Sequence, residues 1–181
     1  MAILFSKTID RFSRILIIIA SFFAIAAFTL IVVGTVTQSW YYSESSNGNF
    51  QSYNLFTICS GNVKNSTSTC NDILRDTSFG SSVQIAAALL VVGVCFTGCG
   101  MLISIAMNFI KFTSILLVVA PTSLFLASLF ILASFAELSR VSLLNSYSAH
   151  LVQAGQMSII FALCIISFAA GRLHTRFYER F

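Results

Sequence analysis

ILIIIASFFAIAAFTLIVV, residues 15–33, decides what kind of fold this chain adopts. It carries no charge, and no Asp, Glu, Lys or Arg occurs anywhere between Arg14 and Glu44. A hydrocarbon layer of about 30 Å is crossed by about 20 helical residues, so this run is long enough to span a bilayer. A cleaved leader is the rival reading. Leader apolar cores run only about 7–15 residues, and Gly34-Thr35-Val36-Thr37 makes a poor cleavage site, so the run is read as a span.

The same pattern recurs three times. Charge is absent between Asp76 and Lys111, between Lys111 and Glu137, and between Arg140 and Arg172. These windows place four spans at about 15–36, 83–107, 112–136 and 151–171. The composition agrees: of 181 residues 57% are apolar and 9% charged, against about 25% charged in a soluble domain. Seven cations, Lys7, Arg11, Arg14, Lys111, Arg172, Arg176 and Arg180, fall on the side of the two termini. Lys64, Arg75 and Arg140 fall on the other. The excess makes the termini cytoplasmic. The net charge of +4 is thereby a topology signal that requires no nucleic-acid partner.

The expectation is a single membrane domain over residues 1–181. A large outer loop covers 37–82 and a smaller one 137–150. The large loop is rich in strand formers, Trp40-Tyr41-Tyr42 and Phe50 to Cys59. Asn47-Gly48 signals a two-residue hairpin turn, and Gly61-Asn62 a second turn. Asn71-Asp72 is placed to cap a short helix entering the second span. The loop is therefore expected to form a small antiparallel sheet outside the membrane. Pro121 should bend the third span. Small residues (Ala20, Ala24, Ala86, Gly93, Gly98, Gly100, Gly171) suit close helix packing, although Gly and Ala are also simply frequent in spans.

Little in the chain suggests catalysis. The span interiors hold no ionisable residue, the usual mark of ion or proton paths. His150 and His174 fall on opposite sides. Glu137 and Arg140 read as a helix-end ion pair rather than a transport site. Gln84, Gln153 and Gln156 are placed near outer ends, within reach of water. Cys95, Cys99 and Cys164 read as small buried apolar residues, with lipidation of Cys99 as a minor alternative. No metal or cofactor site is expected, and no enzyme. On the outer side, the oxidising compartment and the lack of a nearby His favour a Cys59–Cys70 disulfide over free thiols or a metal pair. Asn65-Ser66-Thr67 is an N-glycosylation sequon in a polar loop; a chance match is the alternative.

Trp40, Asn54-Leu55-Phe56, Cys59 and Cys70, read in order, resemble the signature of the claudin superfamily: Trp, Gly/Asn-Leu-Trp and two cysteines in the first outer loop of a four-span protein. Phe56 stands where that family usually has Trp. The ten residues between the cysteines, with their sequon, look more like the peripheral-myelin and epithelial-membrane-protein branch. Val83-Gln84-Ile85-Ala86-Ala87-Ala88 is similar to a further family segment but lacks its Arg. The resemblance implies an all-α membrane protein: a left-handed four-helix bundle carrying an extracellular antiparallel sheet, with Trp40 and Leu55-Phe56 wedged near the membrane face. It also implies a non-enzymatic plasma-membrane protein. Organisation of cell–cell contacts or junctions, through lateral self-association, is the leading expectation. The alternative is an auxiliary subunit that alters the gating or traffic of a channel or receptor. The short tail lacks the Tyr-Val ending by which many claudins bind scaffold domains, and the mixed, sparse loop charges disfavour a selective paracellular channel.

Overall fold

The computed structural model describes residues 11–37, 40–64, 67–72, 78–109, 114–140 and 146–178. Its elements run α1 (Arg11–Val36), β1 (Tyr41–Glu44), β2 (Asn49–Tyr53), β3 (Thr57–Asn62), β4 (Thr67–Asp72), α2 (Ser78–Phe109), α3 (Ser114–Arg140) and α4 (Tyr147–Tyr178). All four helices are long and apolar enough to cross a membrane. Each extends beyond the corresponding apolar run by up to several residues, because helical hydrogen bonding does not stop where the hydrophobic pattern does. The start expected for the third span, at residue 112, lies outside the described residues.

The bundle interior combines large apolar residues, among them Ile17, Ile31, Leu90, Leu124, Ile131 and Ile166, with small residues and hydroxyls such as Ala20, Ala24, Ala27, Ala127, Ser104 and Thr97. Bulky side chains such as Phe22, Leu102, Phe109, Val118, Phe125 and Phe161 point outward. In water so large an apolar exterior would drive association; surrounded by acyl chains it is solvated. This distribution is compatible with a multi-pass membrane protein.

The principal contacts pair α1 with α4 and α2 with α3, with lesser contacts of α1 on α2 and α3 on α4 closing the ring. Small residues set these distances. A Cβ on Gly155 would lie 2.5 Å from Ile31 Cγ1 and 3.1 Å from the Ala27 carbonyl oxygen. One on Gly93 would lie 2.7 Å from Ile131 Cγ1. Gly100 and Gly34 sit as tightly against Leu124 and Val152. A Cβ on Gly98 would lie 3.2 Å from the Phe28 ring of α1, a milder crowding, whereas Gly171 has open space around it and brings no helices together. Pro121 lies inside a continuous α3. It leaves the Leu117 carbonyl without its helical donor.

Interhelical hydrogen bonds tie the same seams. Ser134 Oγ donates to the Ala86 carbonyl (2.8 Å) and Ser123 Oγ to the Phe96 carbonyl (2.9 Å), joining α3 to α2. Gln156 Nε2 donates to Ser128 Oγ at 2.7 Å, joining α4 to α3. Gln156 is only 4% exposed, which corrects the expectation that water at an outer end would satisfy it. More than two turns inside α4, it faces the neighbouring helix instead. Cys95, Cys99 and Cys164 require the opposite correction. All three are exposed on the outer faces of α2 and α4, because the tight seams are already filled by Gly, Ala and Ser.

Candidate interaction surface at the sheet end of the bundle

The four strands form one antiparallel sheet in the order β1-β2-β3-β4. Each hairpin is set by local chemistry. The first connection is longer than the expected two-residue turn: Ser46-Asn47-Gly48 loops between Ser45 and Asn49. The Gly48 N–H donates to the Ser45 carbonyl (2.8 Å) and the Ser45 N–H to the Asn49 carbonyl (2.8 Å). Gly48 takes φ +80°, a conformation that costs glycine little and other residues more.

At the second hairpin, the Asn54 N–H donates to the Thr57 carbonyl (2.8 Å), leaving Leu55-Phe56 as the tip. Asn54 Oδ1 accepts from the Leu55 N–H at 2.6 Å, the local side-chain hydrogen bond for which Asn is favoured in turns. Gly61-Asn62 does not form the third turn. Both residues lie in β3, paired with Ser68 and Thr67, and the chain turns only from Val63 and Lys64 onward. Asn71-Asp72 likewise end β4 opposite Ile58 and Thr57 rather than capping a helix. Backbone pairing along the sheet overrides the local preferences of Gly and Asn at both places.

Cys59 and Cys70 are direct cross-strand partners and are disulfide-bonded. Their Cα atoms are 4.1 Å apart, in the close class of antiparallel pairs, where facing side chains come nearest.

The sheet meets the helices at two points. Trp40, 1% exposed, donates from Nε1 to the Gly34 carbonyl at 3.1 Å and rests its ring 6.4 Å from that of Phe135 on α3. Its own N–H donates to the Tyr53 carbonyl (3.0 Å), so one residue fastens α1, α3 and β2. The second point is the Leu55-Phe56 tip, which lines a groove with Gln84, Ala88 and Val91 of α2 and Asp72 of β4. Leu55 is 1% exposed, whereas Phe56 is 50% exposed, so only the first of the pair is seated in the core. Tyr41, Tyr53 and Ile58 also pack against the core, which gives that face of the sheet an apolar floor.

The far end of the sheet is built to be rigid without contacting the bundle. The Val63 N–H donates to the Gly48 carbonyl (2.9 Å), Asn62 Nδ2 to Asn49 Oδ1 (2.7 Å), and the Lys64 N–H to Asn62 Oδ1 (2.9 Å). The first and third turns are thereby locked side by side, with Glu44, Val63 and Lys64 at their rim. On the outward face Tyr42 stacks on Phe50 at 6.1 Å, and its hydroxyl donates to Glu44 Oε2 at 3.2 Å. Desolvation, helped by the Glu44 carboxylate, raises the Tyr42 phenol above its ordinary value. β1 and β4 are the edges of the sheet.

The structure thus brings Trp40, Asn54, Leu55, Cys59 and Cys70 into one small assembly. Asn65 lies outside the described residues. Glu137 and Arg140 are paired at 3.5 Å at the end of α3. Sequence reasoning missed the Gly155 and Gly34 contacts of α1 with α4. It also missed the Phe135 ring over which Trp40 settles. Gly34 follows Ala27 and Ile31 at spacings of four and three, a helical seam that was there to be counted. No protein-family model matches the chain, and no curated protein matches it.

Proposed function

We propose that this is a plasma-membrane protein of claudin-like architecture with both termini cytoplasmic, organising contacts between cells through its extracellular sheet. The observation that carries the reading is the way the sheet is held. It is fixed to the helices at Trp40 and Leu55 and stapled by Cys59–Cys70, and it projects a locked, polar rim of turns away from them. A surface pre-ordered in this way loses little conformational entropy on binding, which favours recognition over catalysis. Two short edge strands add backbone donors and acceptors for lateral pairing between copies.

The test is to express the tagged chain in half of a mixed, adherent culture. Enrichment at borders between two expressing cells, and its loss when Glu44, Val63 and Lys64 are together changed to Ala, is the expected result. Uniform distribution over free and contacting surfaces refutes it.

A second reading has its own observation. The groove beside Phe56 opens sideways along α2, where Val91 and Val92 are also exposed. This favours a partner in the same membrane, such as a channel or receptor whose gating or traffic the chain alters. Under that reading one large membrane protein co-purifies at fixed stoichiometry in mild detergent, and Phe56→Ala releases it.

A further inference from the structure

At the opposite end of the bundle α1 and α2 diverge around a groove of about 480 Å³, lined by Arg14, Ile18, Ser21, Phe22, Asn108 and Phe109, among others. Its lower part is polar and tied: Asn108 Nδ2 donates to Ser21 Oγ (2.9 Å) and to the Ser104 carbonyl (3.0 Å). Asn108 Oδ1 is buried and has no donor. Its walls are apolar, and Phe22 and Phe109 expose most of their surface. Its mouth is basic. Arg14 is exposed and has no carboxylate partner among the described residues. Arg11 starts the same helix, and Arg172 sits over the Phe12 ring at 4.7 Å. No Asp or Glu of the described residues lies at this end; Glu44, Asp72 and Glu137 are all at the other.

We propose that this groove is a binding site for an anionic phospholipid of the cytoplasmic leaflet. The Arg14 guanidinium takes the lipid phosphate, in a fork geometry suited to paired phosphate oxygens. One acyl chain lies along Ile18 and Phe22. Asn108 Oδ1 accepts from a water or hydroxyl at the glycerol level, which satisfies the buried polar atom left open in this groove. Two things argue for a charged lipid over a zwitterionic one. The charge of the described residues around the mouth is all of one sign, and basic pockets between helices at the cytoplasmic face select anionic head groups. The site rests on the membrane placement proposed above, but its test reads lipid charge and is independent of which side the termini occupy.

The experiment is native mass spectrometry of the full-length protein, purified in mild detergent and incubated with mixed micelles of phosphatidylcholine and phosphatidylserine, then with phosphatidic acid in place of phosphatidylserine. Wild type is expected to retain either anionic lipid over phosphatidylcholine. Arg14→Gln is expected to lose about fivefold of that preference, and Arg14→Lys to keep part of it. Arg11→Gln, one turn earlier and outside the groove, should keep nearly all of it. Equal retention of phosphatidylcholine by wild type overturns the proposal. So does an equal loss in Arg11→Gln and Arg14→Gln, which would reduce the effect to diffuse charge.

Discussion

Removing the Cys59–Cys70 bond, by Cys59→Ser together with Cys70→Ser, tests whether the sheet owes its order to that staple. The bonded residues are 11 apart in sequence. Closing a loop of that size in the unfolded chain lowers its entropy by an amount worth about 3 kcal/mol at 25 °C. The sheet to be held has four strands of only four to six residues, and small sheets of this kind are marginal without further support. Its anchors on the helices are Trp40 and Leu55, so away from that end the sheet depends on the bond together with the hydrogen bonds that lock the first and third turns. The single replacement Cys59→Ser should therefore be as damaging as the double one. Surface biotinylation measures how much of each variant leaves the secretory pathway, and brief proteolysis of intact cells measures the order of the sheet. Both variants should be retained inside the cell, and the fraction that escapes should be cut between β2 and β4. Normal surface levels and wild-type protease resistance in Cys59→Ser would refute the argument.

Two further substitutions probe the bundle. Gly155→Ala gains up to about 1 kcal/mol of helix propensity but drives a methyl into Ile31 and the Ala27 carbonyl; it should lower the unfolding midpoint in detergent, whereas Gly171→Ala, with open space, should hold or raise it. Gln156 leaves Oε1 unpaired in the interior, and Ser128→Ala removes the 2.7 Å bond of its Nε2 while keeping the 3.3 Å bond to the Ser128 carbonyl. Ser128→Ala alone should therefore cost about 0.5–1.5 kcal/mol, and Gln156→Leu with Ser128→Ala should be no less stable; a more destabilised double variant would show that the remaining amide contacts outweigh the unpaired Oε1.

The helices were legible because a charge-free run of such length has few other stable homes. The Cys59–Cys70 pairing was legible because those are the two cysteines outside the apolar runs. The Asn47-Gly48 turn was found but its length was not. The Asn-Gly pair promises a two-residue loop, while the register of Tyr42 with Ser52 and Glu44 with Phe50 sets a longer one. Gly61-Asn62 and Asn71-Asp72 misled for a related reason: turn preference is a local quantity worth tenths of a kcal/mol, and each ladder hydrogen bond and the disulfide act against it. Outward and inward residues within the spans could not be told apart by polarity. In an apolar surrounding the Cys side chains of α2 gain nothing by hiding, while Gln156 gains a partner only by turning inward. Nor could the groove at Arg14 be seen in one helix alone, since it needs the last turns of α2 beside the first turns of α1.

The pairing of α1 with α4 also has a meaning in time. Phe23, Ala27, Ile31 and Gly34 on the first helix are completed by Phe161, Gly155, Val152 and Ser148 on the last. A ribosome delivers α1 before α2, α3 and α4, so its tightest seam stays open while the two helices between are made. Only α2, which touches it less, is there to hold it meanwhile. Damage to α4 is thus felt first at α1, and a chain cut short before Tyr147 carries a complete sheet on an unfinished bundle.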